Sequence, residues 1–206
     1  MFRGIVLNSM RKVIFLDIDG VLNTEYWYSQ KERDQYGHTF DPASVANLAK
    51  IIEKTGAEIV ISSSWKYMGL ETIQMMWKER MLPGKVIGIT PESVNDDYLL
   101  HADLKNINFF SIRGQEINDW MMLHGKDVSH YVIIDDMDFP LKEQQSHFVM
   151  THPNVGITEW DAMKAIAILN AEPSKDIDTI IRELQKEKNR NENIFFPYKR
   201  NLSDFL

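Results

Sequence analysis

The chain has no cysteine, which excludes disulfides, thiolate metal ligands and a cysteine nucleophile, and fits a cytoplasmic protein. It has no excess of positive charge. Its 23 Lys and Arg against 30 Asp and Glu give a net charge of −7, so it does not read as a protein that coats nucleic acid, although a local basic patch can still grip one end of a strand. No apolar run approaches the roughly 20 residues of a membrane span, and Gly4-Ile5-Val6-Leu7 falls short of the about 7–15 residues of a secretory apolar core. The 6 histidines are scattered without ligand spacing, and no internal repeat or low-complexity segment occurs. What remains, in 206 residues that are 44% hydrophobic and 26% charged, is the composition of one globular domain with a sizeable core.

The most informative stretch is residues 13–23. A run rich in β-branched and aromatic residues, Val13-Ile14-Phe15-Leu16, predicts a buried strand. It stops at Asp17 and Asp19, followed by Gly20, where the backbone is free to turn away. Side chains at i and i+2 of a strand share a face, so both carboxylates can point into one site. Paired carboxylates repel unless a cation lies between them or one keeps its proton. Alone, the pattern also describes a solvated turn.

Residues 24–40 are polar and aromatic without sustained periodicity, and predict a flap or short hairpin over the strand end. Tyr26, Trp27 and Tyr28 are consecutive, so they do not all bury on one face and at least one should stand near the mouth of the site; Trp27 either stacks on a substrate base or anchors the flap on the core. Asp41-Pro42 opens a helix as N-cap and first residue, with Val45, Leu48, Ile51 and Ile52 as its apolar stripe and Gly56 as its end. A second strand, 58–61, runs into Ser62-Ser63-Ser64-Trp65-Lys66, where hydroxyls and free backbone N–H groups at a strand end suit an anion. A helix with Leu70, Ile73, Met76 and Trp77 follows, and Pro83-Gly84 turns the chain into a third strand, 85–89. Residues 90–112 read as a long irregular insertion, and Arg113 as the start of a helix bearing Ile117 and Trp120. The fourth strand, 131–134, ends on Asp135-Asp136 with Asp138 beyond. A short fifth strand, 147–150, leads to a helix with Ala162, Ile166 and Leu169, and 173–206 read as a C-terminal helix and tail.

Strands alternating with helices predict an α/β fold: a Rossmann-like parallel sheet of about five strands with helices on both faces. In such sheets ligands bind at the carboxyl ends of the strands. That places Asp17, Asp19, Ser62, Asp135 and Asp136 on one edge, with Arg113 able to reach it if its loop folds over. Several converging carboxylates need a counter-charge, and hard oxygen donors favour Mg²⁺.

The ordered set of an Asp-x-Asp-Gly after strand one, a Ser after strand two, a basic residue before strand four and Asp-Asp after it is similar to the haloacid dehalogenase (HAD) superfamily of phosphotransferases. More narrowly, Ser62-Ser63-Ser64-Trp65-Lys66, the Val86-Ile87-Gly88-Ile89-Thr90-Pro91 segment and Arg113-Gly114-Gln115-Glu116-Ile117 resemble the HAD domain associated with Swiss-army-knife RNA-repair proteins. The resemblance implies a HAD-type catalytic domain, taken as 1–172 with the flap at 24–40; its motifs do not cover the insertion at 90–112, and the intervals between them leave no room for a large cap domain. It implies Asp17 as nucleophile and Asp19 as acid/base. Ser62, Ser63 and Arg113 would bind phosphate, with Lys66 the rival cation. Asp17, the backbone carbonyl of Asp19, Asp135 and Asp136 would hold Mg²⁺, with Asp138 the alternative to Asp136.

Three function classes follow: a Mg²⁺-dependent phosphomonoester hydrolase, a receiver-like domain that stores phosphate on aspartate, and a fold-retaining binding or scaffold protein with little turnover. A receiver leaves Asp19 without a role, and no expected catalytic residue is missing for the hydrolase. An uncapped site is open enough for nucleic-acid ends or nucleotides, with small sugar or metabolite phosphates as the alternative substrates. No membrane partner is expected.

Overall fold

The computed structural model describes residues 10–30, 32–92 and 109–171. The first strand, β1 (Arg11–Leu16), is followed by a one-turn helix, α1 (Glu25–Tyr28), and a two-residue hairpin, β2 (Arg33–Asp34) and β3 (Gly37–His38). These small elements are the predicted flap. The helix α2 (Pro42–Thr55) begins as the sequence predicts. Asp41 accepts a hydrogen bond from the Ala43 N–H, Pro42 opens the first turn, and Gly56 closes the helix in the left-handed conformation at φ 66°.

Then come β4 (Glu58–Ile61), a 3-10 turn over Ser64–Met68, α3 (Leu70–Glu79) and β5 (Val86–Ile89). The remaining elements are α4 (Phe109–His124), β6 (Val128–Asp135), β7 (Phe148–Met150) and α5 (Glu159–Asn170). The greater part of the 90–112 insertion and the 173–206 tail lie outside the described residues.

The five-stranded sheet runs β5-β4-β1-β6-β7 with every pairing parallel. The fold class is therefore the predicted one. Parallel pairing needs crossovers that cover the faces, and alternation along β1 serves both sides. Val13 and Phe15 pack with Val60 and Ile133 against Ile117 and Trp120 of α4, and Phe15 meets the Trp120 ring edge-on at 5.4 Å between centroids. On the other face α5 packs on β6 and on α2. Burying a side chain such as Phe15 or Ile14, each wholly inaccessible, stabilises by roughly 1.5–3 kcal/mol.

Several boundaries differ from the sequence reading, two of them by more than a residue near the site. Arg113 does not start its helix but lies in the second turn of α4, which begins at Phe109. The strand β6 is longer than its apolar run, because Val128 and His130 extend its pairing with β1 across an irregularity at Ser129.

The order places the site. From β1 the chain steps outward to β4 and β5, then returns to β6 on the other side of β1. The strand order reverses at the β1–β6 pair, and a crevice opens at the carboxyl ends there. Asp17 leaves β1 and Asp135 closes β6 at that position. Among the described residues no helix is long and apolar enough to cross a membrane.

Candidate active site

Asp17 and Asp135 lie side by side because their strands do. The Asp17 N–H donates to the Ile134 carbonyl at 3.0 Å, and both side chains are almost wholly buried, at 4% and 1% exposure. The Asp17 carboxylate accepts from the Ile18 N–H at 2.8 Å and from Arg113 Nη1 at 2.9 Å. The same Arg113 nitrogen donates to Asp135 Oδ2, whose other oxygen accepts from the Met137 N–H at 2.9 Å. Asp136 completes a group of three carboxylates whose oxygens come within 4.8 Å of one another.

Gly20 makes room for Asp136. It sits at φ +73°, and a Cβ there would overlap the Asp136 carboxyl group, so only glycine brings the loop this close. Thr151 fixes the same loop by donating from Oγ1 to the Gly20 carbonyl at 3.0 Å.

The electrostatics are unbalanced. Burial pushes the Asp17 carboxyl up, against the pull of Arg113, a hydrogen bond from Ser63 and the Ile18 N–H. Burial, followed by the Asp17 charge, pushes Asp135 up to about 8 despite Arg113. Burial and then Asp17 also raise Asp136, while Arg113, held between Asp17 and Asp135, is itself raised. With all three ionised, the carboxylates outweigh the one guanidinium by two negative charges, which a divalent cation among them would neutralise and so favour the ionised forms. The donor set is all oxygen and hard, which fits Mg²⁺. Asp17, Asp135 and Asp136 are the side chains that would hold it. Asp138 is exposed and outside the group.

A cavity of about 470 Å³ opens onto this cluster, lined by Asp17, Asp19, Gly20, Asn23, Thr24, Glu25, Tyr28, Ser64, Arg113, Asp136, Met137 and Pro153. Asp19 lies at the edge with Oδ1 accepting from Asn23 Nδ2 at 2.9 Å and Oδ2 from Trp65 Nε1 at 3.0 Å. Ser63 bonds Asp17. The Ser62 hydroxyl is buried with no partner among the described residues, and of the three consecutive serines it is Ser64 that lines the cavity.

Lys66 is not brought to the carboxylates. It is buried, with Nζ 2.6 Å from Glu116 of α4 and 3.2 Å from the Pro91 carbonyl. The aromatic flap parts its rings between the two expectations. Trp27 is half-buried, donates from Nε1 to Thr39 Oγ1 at 3.0 Å and does not line the cavity. Tyr28 does. One turn of helix puts Glu25 and Tyr28, at i and i+3, on one side and turns Trp27 off it. Sequence reasoning also missed Asn23, which meets Asp19 within their own loop, and Trp65 and Glu116, whose partners are set by tertiary proximity.

Among curated proteins none matches the chain. The model of the family described as the HAD domain in Swiss Army Knife RNA repair proteins matches residues 13–162, a span running from the strand before Asp17, through Arg113 and the Asp135–Asp136 pair, into α5. With more than half of its length matched and the acidic cluster at the sheet's switch point, the chain belongs to the family of the HAD domain in Swiss Army Knife RNA repair proteins.

Proposed function

We propose that the protein is a Mg²⁺-dependent phosphomonoester hydrolase that works through an aspartyl-phosphate on Asp17. The observation that carries this reading is the clustering of Asp17, Asp135 and Asp136 beside Arg113, with Asp17, Asp136 and Arg113 lining an open cavity. Mg²⁺ bound there would neutralise the carboxylates and draw charge from the phosphoryl group.

The chain's own residues do the rest. An Asp17 carboxylate oxygen attacks phosphorus as the bond from phosphorus to the leaving oxygen breaks, and Asp19 gives that oxygen its proton. Water then attacks the phosphorus of the Asp17 phosphoester and passes its proton to Asp19, which frees inorganic phosphate and restores Asp17. Arg113 and the Ser62 and Ser63 hydroxyls hold the equatorial oxygens, where transition-state charge lies. Arg113, rather than Lys66, is the phosphate-stabilising cation, because it lines the cavity beside Asp17, whereas Lys66 lies off it against Glu116.

The test is phosphate release from a panel of mononucleotides, 3′- and 5′-phosphorylated oligonucleotides and sugar phosphates, with and without Mg²⁺. Turnover that requires Mg²⁺ supports the reading; none on any substrate would leave a binding or scaffold protein. The metal shell has its own check. Mg²⁺ titrated into the wild type raises the melting temperature, because a ligand that binds only the folded state stabilises it. Asp135→Asn shifts the midpoint of that rise to higher Mg²⁺, and an unchanged midpoint would remove Asp135 from the shell.

Tyr28 is the aromatic face offered to a substrate, half exposed at 53% and backed by the His38 ring at 3.7 Å between centroids. Base stacking is worth roughly 1–3 kcal/mol, about 5- to 150-fold in affinity. Tyr28→Ala is expected to raise KM for a nucleotide by that factor and to leave KM for glycerol phosphate within about twofold. Trp27→Ala is expected to lower thermal stability and affect both substrates alike. Equal changes on both substrates in Tyr28→Ala would rule out stacking.

A further inference from the structure

A carboxylate on an exposed loop swings freely about its last torsion, and an acid that must meet a leaving oxygen loses efficiency when it does. Asp19 does not swing. Each oxygen has its own N–H donor, Asn23 Nδ2 at 2.9 Å and Trp65 Nε1 at 3.0 Å. The two donors differ in origin. Asn23 belongs to the same loop, its backbone N–H bonded to the Ile18 carbonyl at 2.9 Å, and moves with Asp19. Trp65 comes from the 3-10 turn after β4 and gives Asp19 a reference outside its own loop.

The indole is itself held. Phe40 meets it edge-on at 5.6 Å between centroids, and the Arg80 guanidinium lies 6.0 Å from its ring. Arg80 also stands 4.6 Å over Phe40 and binds Asp34 of the β2–β3 hairpin through two hydrogen bonds of 2.8 and 2.7 Å. Next to it, Glu79 at the end of α3 accepts from the Tyr36 hydroxyl at 2.9 Å and the Gln35 amide at 2.6 Å. The turn of the hairpin is thus clamped to the C-terminal end of α3, and Trp65 contacts both Arg80 of that clamp and Asp19.

We propose that Trp65 is a positioning residue that orients the Asp19 carboxylate toward the leaving oxygen, and that the β2–β3 hairpin acts on the reaction through it. This rests on the reading of Asp19 as acid/base. In the first step the bond from the Asp17 oxygen to phosphorus forms, the bond from phosphorus to the leaving oxygen breaks, and the Asp19 proton goes to that oxygen. Substrates with poor leaving groups need this proton most, whereas nitrophenolate departs without it.

The experiment uses the full chain with Mg²⁺ and measures kcat/KM, which reports the first irreversible step, for p-nitrophenyl, phenyl and glycerol phosphates. Trp65→Phe is expected to lose about tenfold or more on glycerol phosphate and less than about threefold on p-nitrophenyl phosphate, since misplacement of a reacting group costs up to about 10²-fold. Asp19→Asn, run in parallel, is expected to give the same pattern with a larger loss, within the roughly 10²–10⁴-fold of general acid catalysis.

If Asp19→Asn discriminates by leaving group while Trp65→Phe is uniform or unchanged, the positioning role is overturned and the acid/base reading stands. If Asp19→Asn itself shows no leaving-group dependence, the acid/base reading fails and the proposal falls with it. Should Trp65→Phe not fold, benzothienylalanine at Trp65 keeps the ring shape and lacks the N–H. The same discrimination from that variant supports the proposal, and wild-type behaviour overturns it.

Discussion

Asp17→Asn is expected to reduce turnover on every phosphomonoester by at least about 10³-fold, because an amide is no nucleophile toward phosphorus. The fold should survive. The amide oxygen can still accept the Ile18 N–H, while the charge-assisted bond from Arg113 is lost. Against that loss, removing one negative charge relieves the repulsion that, together with burial, raises Asp135. The two effects on stability oppose each other, so cooperative melting and the far-UV spectrum should resemble those of the wild type. Steady-state rates together with a melting curve check both halves. Retention of more than a few per cent of the rate would move the nucleophile elsewhere, and loss of cooperative melting would make the rate uninformative about chemistry.

Lys66→Met is expected to have the largest effect on stability. It breaks an ion pair between side chains only 7% and 11% exposed and leaves Glu116 charged in the interior. Breaking such a pair typically costs about 3–5 kcal/mol. In a chain of this length that corresponds to a fall in melting temperature of roughly 6–20 °C. The double variant Lys66→Met with Glu116→Leu should recover most of the loss, since an apolar pair of similar volume often replaces a buried ion pair at no cost.

Activity separates the two roles that Lys66 can have. Glu116 stands one turn from Arg113 on α4, and the pair ties that helix to the turn carrying the serines. If Lys66 is a clamp, the double variant recovers activity with stability. If it binds phosphate, the double variant is stable and inactive.

The strands and the order of the acids were legible because both are local. Runs such as Val13–Leu16 and Tyr131–Ile134 announce buried strands, and each acid follows its strand directly, so the parallel-sheet rule alone assembles Asp17 and Asp135. The pairings that tune the site were not legible. Lys66 finds Glu116 across 50 positions of sequence, and Trp65 finds Asp19 across 46; neither leaves a periodic signal. Tyr28 was passed over for Trp27 because a single helical turn is too short to show a stripe, yet its rotation decides which ring faces the cavity. The start of α4 was misplaced at Arg113 because its apolar residues are spread around the helix rather than gathered on one face.

The covalent intermediate is the central claim, and it can be seen directly. The protein is mixed with ³²P-labelled substrate and Mg²⁺, quenched in acid within the first turnover, and digested for peptide mapping. The account predicts an acid-stable, hydroxylamine-labile label on the peptide containing Asp17, absent from Asp17→Asn. A label on any other residue, or full single-turnover phosphate release from Asp17→Asn, would contradict it.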